Sequence, residues 1–234
     1  MDAGGDRSRA RPDPRAGPAA REPGSRPARR AARSPDRRGL TTTQTLICRS
    51  GVAPVRAAPD DSSEQVTQAL AGEPLTIEER RGGWARIRTA YDYPGWVRED
   101  ALGSGDPQLP APREGDPVAE ARAYLGAPYE WGGLSERGID CSGLVHMAYR
   151  RLGRLIPRDA HQQEVAAIEI DKAEARPGDL VCFGDHGRAH HIAFWLGQGR
   201  ILHATAREGV NAVVEEPLEN VDARPVRFAR LTNR

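Results

Sequence analysis

The stretch DCSGLVHMAYRRLG, residues 140–153, decides the fold. Leu144, Val145, Ala148, Tyr149 and Leu152 fall at i, i+1, i+4, i+5 and i+8, the stripe of a buried helix, and Gly153 supplies its stop. Downstream, residues 179–183 (DLVCF), 191–196 (HIAFWL) and 200–204 (RILHA) read as strands separated by glycine-bearing turns. Upstream, residues 117–125 (PVAEARAYL) carry helical spacing at Val118, Ala121 and Leu125, with Asp116 as N-cap and Pro117 at the first helical position. Helix followed by a run of strands predicts an α+β domain over residues 117–234.

The chemistry sits where that helix begins. Unpaired N–H groups and the positive end of the helix dipole would stabilise a thiolate at Cys141. Cys182 lies mid-strand in an apolar run and reads as core, and Cys48 reads as an inert strand residue. Three widely spaced cysteines make no disulfide framework, and an odd number leaves at least one thiol free. A cysteine nucleophile needs a base, and histidine has the suitable pKa. His146 lies about one and a half turns beyond Cys141 and points away from it. His186 and His190 fall in a polar turn; with Cys182 they form a C-x3-H-x3-H spacing that suggests zinc, but a fourth ligand is not evident and a hairpin explains them. Neither a metal nor a cofactor is expected. His191 and His203, on consecutive strands facing the helix N-terminus, would supply a base and the group that orients it.

Strand periodicity puts a condition on that pair. Side chains alternate faces, so two residues of an antiparallel pair share a face only when their numbers sum to the parity of a directly opposed pair. A regular two-residue turn at Gln198 and Gly199 would oppose Gly197 to Arg200 and put the imidazoles on opposite faces. The reading therefore requires an odd-length connection or a bulge, with His203 beside His191 on the face turned towards Cys141.

The rest of the chain divides by composition. Residues 41–104 hold short alternating segments such as EQVTQAL, EPLTIEER and WARIRT, which predict a small barrel. Trp84 and Trp96 read as its core, and Tyr91 and Tyr93, before Pro94, as a contact surface. Residues 105–116 form a Pro- and Gly-rich linker. Residues 1–40 carry eleven arginines against five acids, six prolines and almost no aliphatic side chains, so a disordered extension is expected there. It lacks the apolar stretch of a secretory signal, and a translation start near Leu40 is a further reading. The net charge of +1 over 234 residues thus hides an acidic body, which argues against a nucleic-acid-binding domain. No apolar run approaches the ~20 residues of a membrane-spanning helix.

Two family resemblances follow from these residues. Residues 71–75 (AGEPL), 83–87 (GWARI) and 95–97 (GWV) resemble the bacterial SH3-like domain. Residues 129–133 (YEWGG), 140–145 (DCSGLV), 157–159 (PRD), 177–181 (PGDLV), 191–197 (HIAFWLG) and 201–204 (ILHA), in that order, resemble the NlpC/p60 family of cell-wall cysteine peptidases. That resemblance implies a papain-like fold with Cys141 as nucleophile, His191 as base and then acid, and His203 as orienting residue. It implies a peptidoglycan-derived peptide as substrate, cut between γ-D-glutamate and the diamino acid. With the SH3-like domain ahead, the chain is similar to the subset acting on small muropeptides, in which the equivalents of Tyr129, Asp140 and Ser142 help hold a free amine. Ala160 departs from versions carrying a serine and weakens that last detail. Alternatives are a related thiol amidase or acyltransferase and an inactive wall-binding protein. A monomer is expected, and a cytoplasmic location, with a secreted one as the alternative.

Overall fold

The computed structural model describes residues 44–222 and 225–232. The Arg- and Pro-rich extension of residues 1–40, with the reading of Leu40, lies outside them.

The first layer is a seven-stranded antiparallel sheet of β1 (Gln44–Cys48), β2 (Val52–Arg56), β3 (Gln65–Leu70), β4 (Pro74–Arg81), β5 (Trp84–Thr89), β6 (Pro94–Arg98) and β7 (Leu102–Gly103), in the order β3-β2-β6-β5-β4-β1-β7. Its inner face buries Cys48, Ala53, Val55, Ala69, Leu75, Ala85, Ile87 and Val97. Trp84 and Trp96 are buried but alternate out of that core, a correction to the sequence reading. They lie on the other face, where Arg98 sits 4.3 Å over Trp84 and Arg81 sits 5.1 Å over Trp96.

The α+β part begins with α1 (Pro117–Arg122), whose N-cap Asp116 accepts from the Val118 N–H at 2.9 Å. It is shorter than the spacing predicts. The chain leaves the helix after Arg122, so Tyr124 rather than Leu125 enters the core, and Gly126 takes φ 81° in the turn that follows. The short pair β8 (Leu134–Ser135) and β9 (Gly138–Ile139) leads into α2 (Cys141–Arg151). Then come α3 (Ala160–Ala166), β10 (Ile168–Ile170), β11 (Leu180–Phe183), β12 (His191–Gly197), β13 (Arg200–Thr205), β14 (Ala212–Pro217) and β15 (Val226–Arg230). The six strands order as β10-β15-β11-β12-β13-β14. The helix α2 packs Leu144, Val145 and Ala148 on one sheet face with Leu180, Ile192, Phe194 and Leu202, and Val181, Phe183, Ala193, Trp195 and Ile201 fill the other.

Sequence periodicity gives α2 one buried stripe, yet every residue from Cys141 to Arg150 is buried. The barrel covers the polar side. Arg150 pairs with Glu73 at 3.3 Å, both buried, and His146 meets the Tyr91 ring edge-on at 4.4 Å. From β3, Gln65 donates to Glu130 at 3.0 Å and to the Trp131 carbonyl at 2.9 Å, and the Leu134 N–H donates to Gln68 at 2.8 Å. Tyr91 and Tyr93 are therefore contact residues within the chain. Tyr91 bonds Thr67 at 3.1 Å and Tyr93 donates to the Asp159 carboxylate at 3.0 Å.

Candidate active site

The first turn of α2 is locked before any ligand arrives. Asp140 is its N-cap, and Oδ1 accepts from the Gly143 N–H at 2.6 Å. A Cβ on Gly143 would run into the Gly133 carbonyl, so glycine lets the preceding loop lie against the helix. The loop returns the contact, with the Gly132 N–H donating to Asp140 Oδ2 at 2.8 Å. Arg158, fully buried, donates to both carboxylate oxygens at 2.9 and 2.7 Å, to Ser142 Oγ at 2.9 Å and to Thr67 Oγ1 at 3.1 Å. The barrel is thus bonded to the residue that holds the N-cap of α2.

The imidazoles are brought together by an irregularity. The turn at Gln198 (φ 51°) and Gly199 (φ 75°) has two residues and opposes Gly197 to Arg200, but the register shifts between Trp195 and Gly197. With Phe194 then opposite Leu202, His191 and His203 share a face. His191 Nε2 and His203 Nδ1 are 2.7 Å apart. The face itself differs from the expectation. Leu202 and Ala204 point under α2, so His203 between them points to the opposite side, with Ala193, Trp195 and Ile201. Cys141 reaches β12 through that strand's backbone. Pairing of β12 with β13 stops at Phe194 and Leu202, and the Ile192 N–H beyond it bonds the sulfur.

Cys141 is 7 % exposed. Burial pushes its thiol up to about 12, with Asp140 adding to the shift and the Ile192 and Ser142 N–H groups and Arg158 opposing it. Burial also pushes His191 down to about 3, helped by His203 and His190. Burial thus favours the neutral forms of both groups and opposes the thiolate that the helix N-terminus suggests. Burial lowers His203 as well, and Glu216 opposes that shift.

Glu216 was not apparent from the sequence. Its Oε1 lies 2.8 Å from His203 Nε2, while Oε2 accepts from Asn220 at 2.9 Å and from Arg207. The only signal was an acid in a strand following His203, and Glu215 beside it gives the same signal.

Beside the thiol lies a cleft of about 470 Å³. The barrel supplies Glu64, Val66 and Tyr93, and the α+β part supplies Trp131, Asp140, Ser142, Asp159, Ala160 and His161. Trp131 is exposed and donates from Nε1 to Glu64 at 2.8 Å. Of the expected amine-holding residues, Asp140 and Ser142 line the cleft. Tyr129 is not among the residues lining it, and its hydroxyl pKa is raised by burial and then by Cys141 and Asp140. Five donors already converge on the two Asp140 oxygens, so its carboxylate braces the helix. Among the described residues no group of three or more His, Cys, Asp or Glu is arranged to hold a metal ion, and no helix is long and apolar enough to cross a membrane.

A thiol at a helix start, bonded by the Ile192 N–H next to one member of a hydrogen-bonded imidazole pair, has the parts that cysteine-dependent acyl transfer uses. Residues 126–224 match the NlpC/P60 family and residues 55–102 match the bacterial dipeptidyl-peptidase Sh3 domain, so the chain carries an NlpC/P60 domain preceded by that Sh3 domain. It is 37% identical over 103 residues to a gamma-D-glutamyl-L-lysine dipeptidyl-peptidase of Bacillus cereus, covering 43% of this chain and 31% of the relative. To the Bacillus subtilis protein of the same name it is 36% identical over 133 residues, covering 56% and 44%. The matched part thus spans less than half of either relative. A crystal structure of an NlpC/P60 family protein from Bacillus cereus aligns with 25% identity and a TM-score of 0.47, covering 81% of this chain and 63% of that one.

Proposed function

We propose that the chain is a cysteine peptidase that hydrolyses peptidoglycan stem peptides between γ-D-glutamate and the diamino acid, acting on short free fragments. The observation that carries the reading is the bonded pair His191 and His203 together with the Ile192 N–H, one residue on from His191, bonded to the buried thiol of Cys141. His191 takes the thiol proton as Sγ attacks the γ-carbonyl carbon, then gives it to the departing amine. Water, activated by the same imidazole, then attacks the thioester, and the proton returns to the sulfur as the acid leaves. His203 holds the His191 ring in place throughout.

The preference for short fragments comes from the barrel wall of the cleft. Glu64 and Asp159 are the acids there with capacity for a free amino terminus, because Asp140 is committed to Arg158. The names of the two Bacillus relatives support the same bond class. Three unpaired thiols suit a reducing compartment, and we place the reaction in the cytoplasm.

Incubation with L-Ala-γ-D-Glu-diaminopimelate and, separately, with intact sacculi tests this by product mass. L-Ala-γ-D-Glu and free diaminopimelate are expected from the tripeptide, with release from sacculi slower by about tenfold or more. An uncut tripeptide would sink the reading, and equal rates on both would remove the preference for free fragments.

A further inference from the structure

We propose that Glu216 is a positioning residue whose carboxylate sets the tautomers of both imidazoles and thereby makes Nδ1 of His191 the proton-accepting atom. This rests on the reading that Cys141 and His191 are the reacting pair.

The argument begins with the register. On β13 and β14, His203 opposes Val214 and Ile201 opposes Glu216, so Glu216 lies diagonal to His203 on the same face. His191, His203 and Glu216 therefore form one line across three neighbouring strands. An ionised carboxylate can only accept, so His203 Nε2, 2.8 Å from Oε1, must carry a hydrogen. In the neutral ring Nδ1 is then a lone pair, and at 2.7 Å it accepts from His191 Nε2. His191 is left with an unprotonated Nδ1. When the thiol proton moves there, Nε2–H stays in place, and no proton need reach Glu216.

The surroundings keep this carboxylate ionised and aimed. Arg207 and Asn220 hold Oε2, so Oε1 is free for His203, and both partners with His203 lower the Glu216 pKa against its burial. The charged or titratable groups around the line are Arg207 beside Glu216, His190 beside His191, and Asp140, Arg158 and Tyr129 around Cys141. Among the described residues, Glu216 is the charged group hydrogen-bonded to the far end of the imidazole pair. A reversed set of tautomers would aim an N–H of His191 away from His203 and point two lone pairs, or two hydrogens, at each other across one of the two short contacts.

The test uses the full chain with 15N-labelled histidine. Long-range 1H–15N correlation should show His203 and His191 both as neutral Nε2–H tautomers. Glu216→Gln keeps the shape and loses the charge. It should mix the His203 tautomers and slow iodoacetamide alkylation of Cys141 at neutral pH by about ten- to a hundredfold. Glu216→Asp should restore a single tautomer and most of the rate. An Nδ1–H tautomer for His203 in the parent protein, or unchanged tautomers and alkylation in Glu216→Gln, would overturn the proposal. His191→Ala separates the two readings. If it leaves alkylation unchanged, the Cys141 and His191 pair fails; if it slows alkylation while Glu216→Gln does not, only the role of Glu216 fails.

Discussion

Two polar systems meet at the start of α2, and they are built on opposite plans. Around Asp140 the bonds are many and redundant: five donors reach one carboxylate, and Arg158 alone links it to Ser142 and to Thr67 of the barrel. Along His191, His203 and Glu216 there is a single bond at each step. The first plan suits a part that must not move. The second suits a part through which a change of charge is felt, since His203 has one partner on either side to report it.

Substitutions can break or sharpen that contrast. The largest effect is expected from Arg158→Ala, which leaves Asp140 buried without its counter-ion. Urea denaturation should show a loss of about 3–5 kcal/mol, and a loss below about 1 kcal/mol would mean the brace is not one. Next is His203→Phe, which keeps the ring's bulk and removes its bonds. Turnover should fall by about 10²- to 10⁴-fold, with a smaller loss of stability than Arg158→Ala. Equal stability losses in the two variants would erase the distinction between brace and line.

The smallest effect concerns a third imidazole that belongs to neither system. His146 donates from Nδ1 to the Ile156 carbonyl at 2.9 Å, and its Nε2 has no partner among the described residues. Burial, then Arg158 and Arg150, lower its pKa to about 3 from 6.5. Between those values the unfolded chain binds a proton that the folded one refuses, so stability falls as pH drops from about 6.5 towards 3 and is flat above. His191 and His203, also lowered, slope the same way. Replacing His146 by Gln should reduce the slope of unfolding free energy against pH by up to about 1.4 kcal/mol per unit. An unchanged slope would show that this ring is protonated in the folded state.

Legibility in the sequence followed the locality of the signal. Cys141 stood out because a helix start is written in neighbouring residues, and the bulge before Gly197 could be demanded from parity alone. Glu216 could not be, because choosing it over Glu215 depends on how β14 registers against β13. The polar side of α2 carried the same ambiguity. Arg150 and His146 look like solvent-facing residues until the barrel is placed over them. Trp84 and Trp96 misled for the reverse reason, being buried by arginine side chains on the outer face rather than by the apolar core.

The extra residue in the β12–β13 hairpin also limits how this segment can change length. Removing Leu196 alone would make the hairpin regular and turn His203 away from His191, and inserting one residue in the turn would do the same. Removing or adding two residues preserves the pairing of faces. For insertion and deletion, then, this hairpin counts in twos, while the loops at Ser63 and Asp106, away from the sheet that carries the imidazoles, are free of that arithmetic.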